Sequence, residues 1–122
     1  MVKYICLLLS ILLCSHTMAK PPAFVDNYKD ATQLSEDLKQ EMVLIFSAEW
    51  CVYCKKLKKD ITMNIKLFED NVICIIDIDK FPELAKQYNV KSIPKSIFFD
   101  KNNKKVREVL GYSNIEKFKN GK

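Results

Sequence analysis

Glycine, proline and histidine are scarce in this sequence: its 122 residues include two, four and one of them, respectively. So little glycine and proline excludes collagen-like and low-complexity architectures. The five cysteines are too few and too uneven in number for a small disulfide-stapled scaffold. No repeat of solenoid length is present, so a repeat protein is excluded as well. With 48% hydrophobic and 29% charged residues, the chain is expected to form one domain, and disorder is excluded for most of it.

The amino-terminal segment has the layout of a secretory signal peptide. A single charge, Lys3, precedes an apolar run over Tyr4–Cys14, and small residues lead to an expected cleavage point after Ala19. The apolar run is shorter than the roughly 20 residues that span a bilayer, so we expect cleavage rather than stable membrane insertion. Cleavage would remove His16, the sole histidine. The sequence therefore predicts export to the periplasm or beyond, where disulfides persist.

Two uninterrupted apolar runs, Met42–Phe46 and Val72–Ile76, predict strands that are buried on both faces of a sheet. The later segments Ser96–Phe99 and Lys105–Leu110 predict a closing hairpin. Because helical segments alternate with the first strands, the pattern predicts an α/β fold with one mixed β-sheet flanked by helices on both faces. The expected organisation is a signal peptide over residues 1–19, an extended leader over 20–29 and the folded domain over 30–122.

The helices between these strands follow from apolar spacing and capping residues. Asp30 or Thr32 is expected to cap the first helix, and Ser113 the last. Asn64 is expected to interrupt the second helix, and Pro82 suits the first turn of a third. The second helix carries one apolar stripe, formed by Cys54, Leu57, Ile61, Ile65 and Phe68.

Cys51 and Cys54 lie three residues apart, where the first buried run leads into the second helix. A helix amino terminus presents unpaired N–H groups and a partial positive charge, which favour a thiolate over a thiol. Cys51 is nearest to that end, so we expect it to be exposed and to act as the nucleophile. Cys54 is one turn further in and is expected to be the sheltered resolving thiol. This pair would exchange disulfides through a mixed-disulfide intermediate.

A zinc site is the competing interpretation of the two cysteines, because such sites often use this spacing. Zinc would need two more ligands, yet the mature chain has no histidine and its remaining cysteine, Cys74, lies within an apolar strand. Cys74 is therefore expected to be a core thiol. Asp77 and Asp79 are expected to be solvated at a strand end, so no metal is predicted.

Several segments together resemble the thioredoxin-like family. They are Ala48–Lys55, Asp77–Asp79, Pro82–Val90, Ser92–Pro94 and Gly111, which match the family in order and spacing. The resemblance covers about residues 30–118. It implies a thioredoxin fold with a cis Ile93–Pro94 peptide facing the cysteines and offering backbone groups to a substrate chain. It also implies a rim position for Trp50, and a redox-active Cys51–Cys54 disulfide that needs no cofactor.

The sequence departs from the family at positions that bear on mechanism. Ile45 stands where the family usually has a buried acid, and Ile75 where reductases often have a lysine. Proton transfer at Cys54 is therefore expected to use water or Glu49. A tyrosine before the second cysteine, here Tyr53, resembles some periplasmic isomerases, whereas an isoleucine before the proline, here Ile93, resembles reductases. Lys95 replaces the threonine that usually follows that proline. These signals conflict, so the direction of electron flow stays open.

Four lysines on the second helix, Lys55, Lys56, Lys58 and Lys59, are interrupted by Asp60 and lack interleaved aromatic residues. They are interpreted as a solvated helix face rather than a nucleic-acid site.

The predicted function is an exported thiol:disulfide oxidoreductase, with reduction of protein disulfides favoured over oxidation or isomerisation. A non-enzymatic binding module and a metal carrier are the alternatives. Protein clients and a redox partner protein are the expected partners of a monomer. The predicted site comprises Cys51 and Cys54 as catalytic residues, Trp50, Ile93 and Pro94 as substrate contacts, and Glu49 and Tyr53 as modulators.

Overall fold

A computed structural model of the protein describes residues 23–121, and the predicted signal peptide lies outside these residues. Helices and strands alternate from β1 to β4, and a hairpin and a final helix close the chain. The elements are β1 (Ala23–Val25), α1 (Tyr28–Leu38), β2 (Glu41–Ser47), α2 (Val52–Met63), β3 (Asn71–Asp77), α3 (Pro82–Gln87), β4 (Lys95–Phe99), β5 (Lys105–Leu110) and α4 (Ile115–Asn120), with a 3₁₀ turn over Ile65–Phe68 after α2.

The five strands form one mixed sheet in the order β1-β3-β2-β4-β5. Strands β1, β3 and β2 run parallel, whereas β4 lies antiparallel to β2 and pairs with β5 in the closing hairpin. The predicted α/β class with a mixed central sheet is therefore confirmed. Among residues 23–121, no helix is long and apolar enough to cross a membrane.

The central strands are apolar throughout because helices cover both faces of the sheet. Alternate β2 residues point in opposite directions. Met42, Leu44 and Phe46 pack in the core beneath α1 and α3, and Val43 and Ile45 pack in the core beneath α2 and α4. Each fully buried side chain of this size contributes about 1.5–3 kcal/mol. The core thus fixes β2 and α2, and with them the junction that carries the cysteine pair.

The helix starts differ from the predicted caps. Asn27 caps α1, and its side chain accepts the N–H of Asp30 at 3.2 Å, so Asp30 is the donor rather than the cap. Asn114, rather than Ser113, caps α4. In each case the asparagine lies three residues before the N–H group that it binds, where a capping side chain is best placed.

The predicted leader is partly built into the fold. Strand β1 pairs Phe24 with Ile73 and Val25 with Cys74 of β3, and α1 begins at Tyr28. The domain boundary at residue 30 stays a prediction. The predicted interruption at Asn64 is confirmed, because α2 ends at Met63 and the Asn64 side chain donates to the Asp60 carbonyl at 2.8 Å.

Candidate functional site

The cysteine pair lies at the junction between β2 and α2. The Cys51 N–H donates to the Ala48 carbonyl at 3.2 Å, which tightens the turn that leaves the strand. Cys51 is the N-cap of α2, with extended backbone, and its sulfur accepts the N–H of Cys54 at 3.3 Å. A disulfide joins Cys51 to Cys54. The predicted placement at a helix amino terminus, where thiolate charge is favoured, is confirmed.

The expectation that Cys51 is exposed is wrong for the oxidised pair. Cys51 is only 7% exposed, close to the 4% of Cys54. Both cysteines pack with Ala48, and Ile78 and Ile93 lie against this cluster. These two isoleucines come from loops that are distant in sequence from Cys51. Cys51 is therefore buried, although its position at the start of the helix suggested that it would be exposed.

The loop before β4 lies against the pair, as the resemblance implied. The Ile93–Pro94 peptide bond is cis, Ile93 packs on the cysteine cluster, and Pro94 is buried. The Gly111 N–H donates to the Pro94 carbonyl at 2.8 Å. Gly111 has a φ of +73°, a left-handed conformation that favours glycine. The end of β5 thus holds the loop in place from behind.

Exposed apolar side chains flank the cysteines in sequence and form an apolar rim, which consists of Trp50, Val52 and Tyr53. All three side chains are exposed, although large apolar groups are usually covered. The indole Nε1–H of Trp50 donates to Asp79 Oδ2 at 2.9 Å, which ties the ring to the turn that follows β3. The rim position predicted for Trp50 therefore agrees with the structure.

A cleft of about 430 Å³ opens on the other side of the pair. Cys54 lines it together with Glu49 and Asp77, and with Lys55 and Lys58 of α2. The Glu49 side chain is strongly exposed and lies 4.0 Å from the Lys80 ammonium. Asp77 is half-buried at the end of β3. The sequence predicts only strand-end solvation for Asp77, whereas the structure places it in the same cleft as Cys54.

A family model described as thioredoxin matches residues 24–121. The chain belongs to the thioredoxin family. It is 36% identical over 85 residues to thioredoxin of Ophiophagus hannah, covering 70% of this chain and 79% of that protein. It is also 36% identical over 70 residues to thioredoxin H5 of Oryza sativa subsp. japonica, covering 57% and 51%, so the match spans about half of the rice protein.

Two further comparisons agree with this assignment. The chain is 32% identical over 82 residues to a probable protein disulfide-isomerase A6 of Medicago sativa, covering 65% of this chain but only 22% of that protein. Among solved structures, the thioredoxin-1 protein Deadhead of Drosophila melanogaster superposes with a TM-score of 0.61 at 30% identity, covering 73% and 86% of the two chains. Family membership and the cysteine pair together support thiol:disulfide oxidoreductase activity, as the sequence predicted.

Ile45 and Ile75, which stand where the family often has an acid and a lysine, lie side by side in the structure. Ile45 of β2 pairs in register with Ile75 of β3, on the sheet face that α2 covers. Ile45 is buried against the same cluster as Leu57. The sheet behind the cysteine pair is therefore apolar at both positions, and Cys54 shares its cleft with the acidic residues Glu49 and Asp77.

Lys95 carries a buried positive charge directly after Pro94. Its ammonium donates to the Tyr88 carbonyl at 2.8 Å and lies 2.8 Å from Glu108 Oε1. Glu108 also accepts a hydrogen bond from Lys105. These bonds, first from Lys105 and then from Lys95, hold the pKa of the Glu108 carboxyl below its usual value. Lys95 thereby ties the end of α3 and β5 to the strand that follows the loop.

Cys74 is fully buried in β3, where it pairs with Leu44 of β2. Burial raises the pKa of its thiol to about 12, so the thiolate form is strongly disfavoured. Its position agrees with the prediction of a core thiol. No group of three or more metal-ligating side chains is placed to hold an ion within residues 23–121.

The predicted lysine face is exposed along α2. Lys55, Lys58 and Lys59 are open to solvent, and Lys56 pairs with Asp60 at 2.8 Å. Asp60 also accepts the hydroxyl of Tyr112 at 2.6 Å, and these two hydrogen bonds lower the pKa of its carboxyl. The arrangement matches a solvated helix face.

Proposed function

We propose that this chain is an exported thiol:disulfide oxidoreductase that reduces protein disulfides. The observation that supports this most directly is a Cys51–Cys54 disulfide at a helix amino terminus, packed against the Ile93–Pro94 loop. In the reduced enzyme, the Cys51 thiolate attacks one sulfur of the client disulfide. That bond breaks and a mixed disulfide forms. Cys54 then attacks the sulfur of Cys51, so the pair is oxidised and the client leaves with both of its sulfurs reduced.

The burial of the pair favours the reducing direction. A strongly oxidising pair needs a stabilised thiolate in its reduced form. Here both cysteines lie almost entirely out of water, and this burial opposes the stabilisation that the helix amino terminus gives to a thiolate. The disulfide form therefore gains relative to the thiolate form, and electrons pass to the client. A redox partner protein, rather than a bound cofactor, would restore the two electrons.

The surroundings of the pair suit an extended polypeptide client. Trp50 presents an exposed aromatic surface, and Ile93 and Pro94 form the facing loop. The exposed side chain of Tyr53 stands between the two cysteines in sequence and would contact the client near the reacting bond. Glu49 faces the neighbouring cleft, where its charge would modulate Cys54.

Turnover of a protein disulfide tests the catalytic assignment. Insulin would be reduced in the presence of dithiothreitol, with the uncatalysed rate subtracted. Cys51→Ser is expected to abolish the catalysed rate, and Cys54→Ser to accumulate a mixed disulfide that is detectable by mass. Cys74→Ser is the matched control, because it removes a buried thiol outside the site and should retain turnover. A Cys51→Ser variant with undiminished turnover would refute the role of Cys51 as the nucleophile, and a parent protein without catalysed turnover would favour a binding module instead.

Export is a separate part of the proposal and rests on the amino-terminal sequence pattern. Expression of the full chain in a bacterial host should yield a periplasmic product whose mass corresponds to cleavage after Ala19. A full-length product confined to the cytoplasm would contradict it.

A further inference from the structure

Cys54 has to lose a proton during the resolving step, because a thiolate and not a thiol attacks a disulfide. Its side chain is almost completely buried, and burial disfavours the charged form. A buried thiol that must ionise is helped by a base within reach, either directly or through one water. The sheet behind the pair is apolar at Ile45 and Ile75, whereas the cleft that Cys54 lines contains carboxylates, so we look for the base there.

Two carboxylates line that cleft, Glu49 and Asp77, and their settings differ. Glu49 extends into solvent toward Lys80. Asp77 is half-buried and is held in place, since its Oδ1 accepts the N–H of Asp79 at 2.8 Å. Asp77 lies two residues after Ile75 on β3 and therefore shares the sheet face that α2 covers. Of the two carboxylates that share the cleft with Cys54, Asp77 is therefore the one that the structure holds in place.

We propose that Asp77 is the proton acceptor for Cys54, acting through a water in the cleft. The cleft volume of about 430 Å³ is ample for water, which needs polar partners such as these carboxylates and lysines. The proton passes from the Cys54 thiol to the water, while a proton of that water passes to the Asp77 carboxylate. The Cys54 sulfur then bonds to Cys51, and the client sulfur leaves with the electron pair of the broken bond. Asp77 later returns its proton to solvent.

Other charges face Asp77 and define the controls. Lys55 and Lys58 reach the cleft from α2, and Glu49 reaches it from the turn before Cys51. On the opposite side of Asp77, Lys80 and Asp26 line a neighbouring cleft. Glu49→Gln is the matched control, because it removes one negative charge from the same cleft.

A two-phase reaction separates the role of Asp77 from that of Cys51. This test rests on the proposed function and uses a background in which Ser replaces Cys6, Cys14 and Cys74. Reduced protein is mixed with one equivalent of an aromatic disulfide that releases a coloured thiolate. Attack by Cys51 releases the first thiolate, and resolution by Cys54 releases the second. If no thiolate is released, the proposed function itself fails, independently of Asp77.

The direction of the change in the second-phase rate shows whether Asp77 acts as a general base or only through its negative charge. A general base contributes roughly 10²–10⁴-fold, so a relay through water is expected to leave Asp77→Asn at least about tenfold slower in the second phase. The first phase should stay unchanged. Loss of negative charge alone would instead favour the Cys54 thiolate and accelerate the second phase. Asparagine keeps an oxygen that can accept the Asp79 N–H, so the turn is preserved.

The remaining variants complete the test. Asp77→Glu is expected to restore part of the second-phase rate. Glu49→Gln is expected not to slow the second phase, because it removes a negative charge from the cleft but no proton acceptor. The proposal is overturned if Asp77→Asn leaves the second phase unchanged or accelerates it, if it slows both phases equally, or if Glu49→Gln slows the second phase as much.

Discussion

Replacing Glu108 by glutamine is expected to destabilise the fold, because Lys95 then keeps a buried charge without its counter-ion. The Lys95 side chain is only 9% exposed, and its ammonium lies 2.8 Å from Glu108 Oε1. The Tyr88 carbonyl, also at 2.8 Å, is its second polar partner. Glutamine retains an oxygen at this place but supplies no negative charge.

The expected cost is intermediate between those of a buried and a surface ion pair. Breaking a fully buried pair costs about 3–5 kcal/mol, whereas an exposed pair contributes about 0–1 kcal/mol. Glu108 keeps 29% of its side-chain surface in water, and the Tyr88 carbonyl remains as a partner, so we expect a loss of about 2 kcal/mol. For a domain of this size, that corresponds to a decrease in Tm of roughly 8–16 °C.

Thermal and urea unfolding of the two proteins would measure this cost, with Lys105→Gln as the matched control. Lys105 binds the same carboxylate but is 54% exposed, so its removal should cost less than about 1 kcal/mol. The reasoning is refuted if Glu108→Gln costs no more than Lys105→Gln at neutral pH.

The pH dependence of the same experiment has a defined sign. Because the folded-state pKa of Glu108 is lowered, its stabilising contribution is fully present above the ordinary glutamate pKa. The contribution disappears as the pH falls through the lowered folded-state value. The stability difference between the parent and Glu108→Gln should therefore shrink under acid. A difference that grows on acidification would contradict the assignment.

Two further predictions concern residues around the pair. Cys74→Ala should leave disulfide turnover unchanged. Cys74 should also resist alkylation in the folded protein at neutral pH, because burial raises the pKa of its thiol to about 12. Altered turnover or rapid alkylation would exclude a purely structural role for Cys74. Trp50→Phe removes the hydrogen bond to Asp79. Since such a bond contributes about 0.5–1.5 kcal/mol, kcat/KM for a protein disulfide should fall roughly 2- to 10-fold. Equal losses for a small aromatic disulfide would show that Trp50 does not contact the polypeptide.

The sheet and the cysteine junction could be predicted because their signals are local and strong. The apolar run Met42–Phe46 lies within β2 because only a strand covered on both faces needs apolar residues at every position. The cap of α1 was harder to assign, because Asn27, Asp30 and Thr32 are all capable of accepting an N–H. The residue that acts as the cap is the one at which the backbone leaves the extended conformation. The pairing of β1 with β3 influences where that happens.

The environment of the site depends on contacts between distant segments. Ile78 and Ile93 pack against the cluster that contains Cys51, and no local pattern around Cys51 predicts this contact. Lys95 similarly finds Glu108 only through the alignment of β4 with β5. Asp77 was within reach of sequence reasoning, since strand alternation places it on the same face as Ile75. Its position beside Cys54 depends on how α2 packs on that face, which strand alternation does not predict.

The reduction potential of the Cys51–Cys54 pair tests the central claim most directly. Equilibration of the protein with defined glutathione or dithiothreitol mixtures, followed by quantification of the oxidised fraction, would give the value. A reductase is expected to lie near the roughly −270 mV of thioredoxin. A value near the roughly −120 mV of strongly oxidising dithiol proteins would contradict the proposed direction of electron flow.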